Sequence, residues 1–303
     1  MRRQVAAVLM VFSLAGPWVA PASAQAPLPV VPEAEPPSAA APSPPSYPPE
    51  ELERIVSPIA LYPDPLLAQV LAAATFADQI PEAARWANEH HYLKGSALTA
   101  AMAEDQLPWD PSVQALVPFP SVLGMMASDM PWTQELGDAF LAQRADVMDA
   151  VQRQRLKAEQ FGYLRSNAQV TVTSGPYCEI LPVRPDFLVV PYYDPAIVFA
   201  APRRGFVVAG AIRFGFGITL GAAFAPWGWA TSRFVWGERA IVLNGEPWRR
   251  GWVNRRTYVH PYAIQRHTGP RPAERHRLIG RSPREREAER SGRPPREEHH
   301  RRG

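Results

Sequence analysis

The chain has one cysteine, Cys178, among 303 residues. No disulfide can form within it, so its stability has to come from packing. In "YCEILPV" that cysteine reads as a small buried hydrophobe on a strand rather than a reactive thiol. The Gly-x-Ser-x-Gly elbow, the phosphate-binding glycine loop and the His-Glu-x-x-His pair are all missing. Their absence removes the usual serine-hydrolase, nucleotide and zinc-peptidase readings. His90 and His91 are neighbours, about 100° apart on a helix, and cannot share a metal as an i, i+4 pair would. They read as a solvated helix end, while His299 and His300 belong to the C-terminal tail. No cofactor motif is present, and no catalytic residue can be assigned. The carboxylates Asp138, Asp146 and Asp149 read as a solvated helix face.

Net charge is unevenly spread along the chain, slightly negative in the middle and positive at the end. Residues 266–303 hold twelve Arg and six Glu, a net +6. Without that tail and the Arg2–Arg3 pair, the overall +3 becomes −5 for residues 25–265. The basic pI of about 9.2 is therefore a property of the tail, and its interleaved Arg and Glu argue against nucleic acid as a partner.

At the other end, Arg2 and Arg3 precede an apolar run from Val5 and the small-residue site Ala22-Ser23-Ala24. This is the pattern of a secretory signal peptide over residues 1–24, cut between Ala24 and Gln25. It leads to the expectation of an exported protein of the periplasm or cell envelope. Residues 25–49 read as a Pro/Ala-rich disordered linker, with ten prolines between 27 and 49 that remove backbone donors. Residues 265–303 read as a disordered Arg/Glu-rich tail.

Between these ends the expected class is α+β. Over residues 50–166 the apolar spacing is helical. Asp64-Pro65 and Asp110-Pro111 read as an N-cap followed by proline at the first helical position. Asp78 reads as a further cap, with Trp86 on the inner face of its helix. The longest helix is expected from Trp132 to Gln160, with Arg144, Arg153, Arg155 and Lys157 mainly outside its apolar face. Residues 167–204 turn to short runs rich in β-branched and aromatic residues, "QVTVTS", "CEILPV", "FLVVPYY" and "AIVFA", all read as strands. Over residues 231–264, Asn244-Gly245 predicts a hairpin, and "WVNRRTYVH" a further strand.

Residues 205–230 form a Gly-rich hydrophobic segment. Phe214 to Ala230 is seventeen residues without a charge, about 25 Å as a helix and at the lower limit of a membrane span. Extending it through Arg213 costs about 2.5–3.5 kcal/mol if that charge sits centrally. As a strand, Phe214 and Phe216 face one way and Gly215, Gly217 and Gly221 the other. As a helix, the reading preferred here, Gly210, Gly217 and Gly221 line a small face with a Gly-x-x-x-Gly step. Either way the glycines invite close approach by another element, a second copy or a membrane. Trp227, Trp229, Trp236, Trp248 and Trp252 follow within twenty-six residues. They read either as a bilayer-interface or sugar-stacking surface, or as the core of a small sheet.

The blocks "IVSPIALYPDPLLAQVLAAATF", "PWDPSVQALVPFPSVLGMM", "WTQELGDAFLAQRADVMDAVQRQR" and "FLVVPYYDPAIVF" resemble the bacterial domain-of-unknown-function family 3300, over about residues 51–245. The resemblance implies an exported or envelope-associated protein with no established activity, and it carries over no catalytic residues. This chain departs from the family pattern in its short "APRRG" connection before the Gly-rich segment. The expected function is a non-enzymatic envelope protein. Its helical domain binds a protein partner, and its Gly-rich segment contacts a membrane or another copy. The alternative is binding or hydrolysis of cell-wall glycan through the tryptophans. The basic tail is expected to adhere to anionic lipid or cell-wall polymer.

Overall fold

The structure, a computed structural model, describes residues 43–202 and 210–262. The expected signal cleavage at Ala24–Gln25, most of the linker and the Arg/Glu-rich tail lie outside the described residues. Eight helices come first: α1 (Pro49–Val56), α2 (Asp64–Ala74), α3 (Ile80–Glu89), α4 (Gly95–Glu104), α5 (Pro111–Ala115), α6 (Pro120–Ser128), α7 (Met130–Ala142) and α8 (Arg144–Gln160). Short strands follow in antiparallel pairs, so the architecture is α+β, as the residue pattern implies.

Helix α2 is central because its sequence leaves it nowhere else to go: "DPLLAQVLAAA" is apolar nearly all round, and every residue but Pro65 is buried. Helix α7 crosses it closely. A Cβ on Gly137 would lie 2.2 Å from the Ala74 carbonyl oxygen, so only glycine fits at that crossing. Helix α5 begins as expected, with the Asp110 carboxylate accepting the Ser112 N–H at 2.9 Å. Asp78, by contrast, lies inside a 3₁₀ turn (Ala77–Gln79) and caps nothing; α3 starts after Gln79 without a side-chain cap. Trp86 is half-buried against the core.

The single helix expected from Trp132 to Gln160 is two. The backbone leaves the helical region at Gln143, with φ −133° and ψ 47°, and α8 restarts at Arg144. Long-range bonds hold the break: Gln143 Oε1 accepts the Tyr47 N–H at 2.6 Å, and the Arg144 guanidinium donates to the carbonyls of Trp248 and Arg250. Apolar spacing cannot register partners a hundred residues away.

Strands β1 (Val170–Thr173) and β2 (Glu179–Pro182) form one hairpin. Strands β3 (Phe187–Leu188) and β4 (Pro191–Tyr193) run on to a short helix, α9 (Pro195–Val198). The "AIVFA" stretch is thus helical at its start rather than a strand. The Asp194 carboxylate accepts the Ala196 N–H at 2.9 Å, the same Asp-Pro device that starts α5. After residue 209 come β5 (Ile212–Phe214), β6 (Ile218–Thr219), α10 (Gly221–Phe224), β7 (Arg233–Val235), β8 (Ala240–Leu243) and β9 (Glu246–Pro247). Asn244 (φ 51°) and Gly245 (φ 84°) make the turn between β8 and β9, the hairpin that the dipeptide predicts. "WVNRRTYVH" is a series of turns, not a strand. Asn254 accounts for this: its side chain accepts the Gly251 N–H at 2.7 Å and donates to the Arg249 carbonyl at 3.1 Å, replacing ladder bonds with local ones.

One apolar core joins both halves. Leu188, Leu220, Phe224, Trp227, Phe234, Trp236, Ile241, Leu243 and Trp248 pack into the same cluster as α1 to α7. A buried ion pair ties them further. Arg155 of α8, expected outside the apolar face, is completely buried. Its guanidinium bonds Asp64 Oδ1 at 2.6 Å and the carbonyls of Ala60, Tyr62 and Cys178 at 2.8–2.9 Å. Asp64 is not the cap it resembles, for Pro63 holds that position. Its carboxylate instead takes Arg155 on one oxygen and the Trp236 indole N–H, at 3.0 Å, on the other.

Candidate functional site

The Gly-rich segment neither continues as a helix nor forms a plain strand. Strand β4 pairs with β5 through Pro191↔Phe214, Tyr192↔Arg213 and Tyr193↔Ile212, and β3 pairs with β6 through Leu188↔Ile218 and Phe187↔Thr219. Between the two ladders, Val189 and Val190 on one strand face Gly215, Phe216 and Gly217 on the other. The extra residue makes a β-bulge. Its centre, Phe216, is turned fully into solvent.

The flanking glycines are required by what lies over them. A Cβ on Gly217 would sit 1.8 Å from the Phe187 ring, and one on Gly215 2.7 Å from the Tyr192 ring. Two aromatic rings thus cover the bulge backbone and hold Phe216 outward. The Gly-x-x-x-Gly step from Gly217 to Gly221 therefore lies on no helix: Gly217 is in the bulge and Gly221, with φ +48°, opens α10. This corrects the preferred helical reading, and the physical reason is cross-strand packing by Phe187 and Tyr192, which lie outside the segment. Phe214 is half-buried in a second apolar cluster with Val189 and Val198, and Gly210 is exposed. Among the described residues no helix is long and apolar enough to cross a membrane.

Beside the bulge opens a cleft of about 580 Å³. One wall is the turn from α3 to α4, with His90, His91, Leu93, Lys94 and Leu98. The lining also takes in Val117, Pro118, Pro120 and Ser121, the stretch from Phe216 to Phe224, and Tyr192. The lining contains no carboxylate, and its charge is Lys94 alone apart from the two histidines. A second cleft of about 560 Å³ shares Leu220, Gly221 and Ala222 as lining. The volume falls within the range of about 300–1,000 Å³ usual for sites that enclose a small apolar ligand. His90 ends α3 half-buried, its ring stacked on Trp86 at 3.9 Å, and only His91 beside it is exposed as the solvated helix end expected of the pair. Among the described residues no three His, Cys, Asp or Glu side chains gather to hold a metal.

The tryptophans do not form an outward stacking face. Trp227, Trp236 and Trp248 are buried; Trp229 and Trp252 are half-buried. Trp248 stacks on Phe140 at 5.3 Å, Trp236 on Phe234 at 4.1 Å, and the Trp229 indole N–H donates to the Ala115 carbonyl at 2.9 Å. Of the two readings of this cluster, the structure supports the core, because the helices supply the Phe140 ring and the Ala115 carbonyl and strand β7 the Phe234 ring.

Cys178 is buried, as expected, and burial pushes its thiol up to about 11. At pH 8 only about one thiol in a thousand is ionised. An alkylating thiol reagent is expected to label the native protein far more slowly than the unfolded chain. Comparable rates in the two states would place Cys178 at an open site instead.

A polar cluster lies where the last described segment crosses α5. The His260 side chain, 5% exposed, has its Nε2 4.0 Å from Asp110 Oδ1, and the Tyr262 ring meets it edge-on at 4.2 Å. Neither His260 nitrogen has a hydrogen-bond partner among the described residues, and the same holds for the Tyr258 and Tyr262 hydroxyls. Burial pushes the His260 imidazole down to about 4, so it is neutral at pH 7, and the same cause raises the Asp110 carboxyl above its usual range. Residue spacing did not single out this cluster.

A family model described as "Protein of unknown function (DUF3300)" matches residues 48–250. The chain is 32% identical over 218 residues to the uncharacterized protein YacH of Escherichia coli (strain K12), a match that covers 57% of this chain and 35% of that protein. The chain thus spans about a third of the length of the curated relative it matches. No solved structure matches it.

Proposed function

This chain belongs to the DUF3300 family of proteins of unknown function, and we propose that it is an exported cell-envelope protein that works by binding an apolar partner rather than by catalysis. The observation that carries the reading is the open apolar cleft with Phe216 fully exposed on its rim. Phe216 and the half-exposed Tyr192 beside it extend the apolar lining of the cleft outward, so the exposed surface is a contiguous patch rather than one ring. The helical body and the Gly-rich segment, expected to dock separately, both line one site. Export rests on the Arg2–Arg3 start and the Ala22-Ser23-Ala24 site. The glycan-stacking alternative is weaker, since three of the five tryptophans it needs are core residues.

Cell fractionation and binding of a neutral apolar fluorophore test this. The wild-type protein is expected outside the cytoplasm and to bind the fluorophore saturably. Phe216→Ser, at a position that packs on nothing, is expected to weaken that binding severalfold with its thermal stability unchanged. Wild-type protein retained in the cytoplasm, or without saturable fluorophore binding, would overturn the reading.

A further inference from the structure

We infer that the cleft takes a single-chain anionic amphiphile, an acyl chain ending in a carboxylate; this rests on the binding role proposed above. The cleft is concave and of limited volume, so it suits one chain rather than the flat face of a bilayer. The Leu220–Phe224 part of its wall suits a partner without backbone groups to satisfy. The Leu220 N–H already donates to the Asp186 carbonyl at 2.8 Å, and the Phe224 N–H to the Leu220 carbonyl at 3.3 Å. A peptide laid along Leu220–Phe224 would find these two donors engaged, whereas a hydrocarbon chain needs only the apolar side chains.

Charge selects the head group. The chain has two lysines. Lys157 is held by Glu53, whereas Lys94 stands exposed on the cleft wall with no ion pair among the described residues. With no carboxylate in the lining, a carboxylate head meets attraction there and an ammonium head repulsion. The hydroxyls of Ser121 and Thr219 add polar contacts within the same lining.

The test uses the full-length protein and a neutral apolar fluorophore, N-phenyl-1-naphthylamine, displaced by dodecanoate, dodecanol or dodecylamine below their micellar concentrations. Dodecanoate is expected to displace the fluorophore at a concentration about five- to tenfold lower than dodecylamine. Decanoate should bind about fifteenfold more weakly than dodecanoate, at roughly fourfold per methylene. Lys94→Gln should abolish the preference for the acid, and Lys94→Glu should reverse it in favour of the amine. Equal displacement by acid and amine would overturn the head-group assignment and leave the apolar-binding role standing. Fluorophore binding that no monomeric amphiphile displaces, together with sedimentation on anionic vesicles, would assign the surface to a membrane and overturn the proposal. Absence of any fluorophore binding would remove the binding role and the proposal together.

Discussion

Replacing Asp64 with alanine is expected to cost about 3–5 kcal/mol of unfolding free energy, enough to unfold a marginally stable domain at 37 °C. The change leaves the Arg155 guanidinium, completely buried, without its counter-charge. It also removes the acceptor of the Trp236 indole N–H. The three carbonyls that remain around Arg155 are dipoles, not charges, and cannot offset its desolvation. Arg155→Met should be costly for the converse reason, leaving a buried carboxylate with the Trp236 indole N–H but no counter-charge. The double variant Asp64→Leu/Arg155→Met should lose much less than the two single losses together, because the partners are then removed as a unit. Urea unfolding of the four proteins measures this. A loss below about 1 kcal/mol for Asp64→Ala would mean that the pair is hydrated, contrary to the burial described here.

The second large effect is on pH. His260 is neutral in the fold, with its imidazole lowered to about 4 by burial, whereas in the unfolded chain it titrates near its ordinary value of 6.5. Above pH 6.5 both states are neutral and the group is silent. As pH falls from 6.5 towards 4 the unfolded state takes up a proton that the folded state refuses, and stability declines. Below 4 the full loss of about 3 kcal/mol has accrued. The groups facing it are Asp110, Tyr258 and Tyr262, with Arg250 acting on Asp110. The two phenols are raised by burial and stay neutral through this window. Asp110 works in the opposite sense. Its raised carboxyl is a strain on the fold at neutral pH, relieved as pH falls through its folded value, so it offsets part of the loss. In His260→Leu the decline between pH 6.5 and 4.5 should be shallower by about 2 kcal/mol. Parallel profiles for the two proteins would show that His260 is solvated and the last segment loosely held.

What could be read from residue order follows one physical division. Features made by a few neighbouring residues were legible: the Asn244-Gly245 hairpin, the Asp110 cap and the burial of Cys178. Features decided by distant partners were not. Asp64 has the same local signature as Asp110, yet an arginine 91 positions away takes its carboxylate. Arg155 lies on a helix whose polar spacing points it to solvent, and only Asp64 with the carbonyls around it makes burial tolerable. The break at Gln143 depends on Tyr47, and the outward turn of Phe216 on Phe187 and Tyr192 across the ladder. In "AIVFA" the β-branched content suggests a strand, but the Asp194-Pro195 pair before it starts a helix by local hydrogen bonding. The glycines of residues 205–230 did announce close approach by another element. That element proved to be two aromatic rings of the same chain.

The central claim is that the walls at Leu98 and Phe216–Phe224 enclose an open apolar site of about 580 Å³. Titration of the full-length protein with N-phenyl-1-naphthylamine, in parallel with the variant Ala222→Trp, measures it most directly. Ala222 is exposed and lines both clefts, so the bulky replacement fills the space without entering the core. Saturable one-to-one binding by the wild type, weakened at least tenfold in a variant of unchanged stability, is the predicted result. No saturable binding, or binding indifferent to Ala222→Trp, would contradict the account.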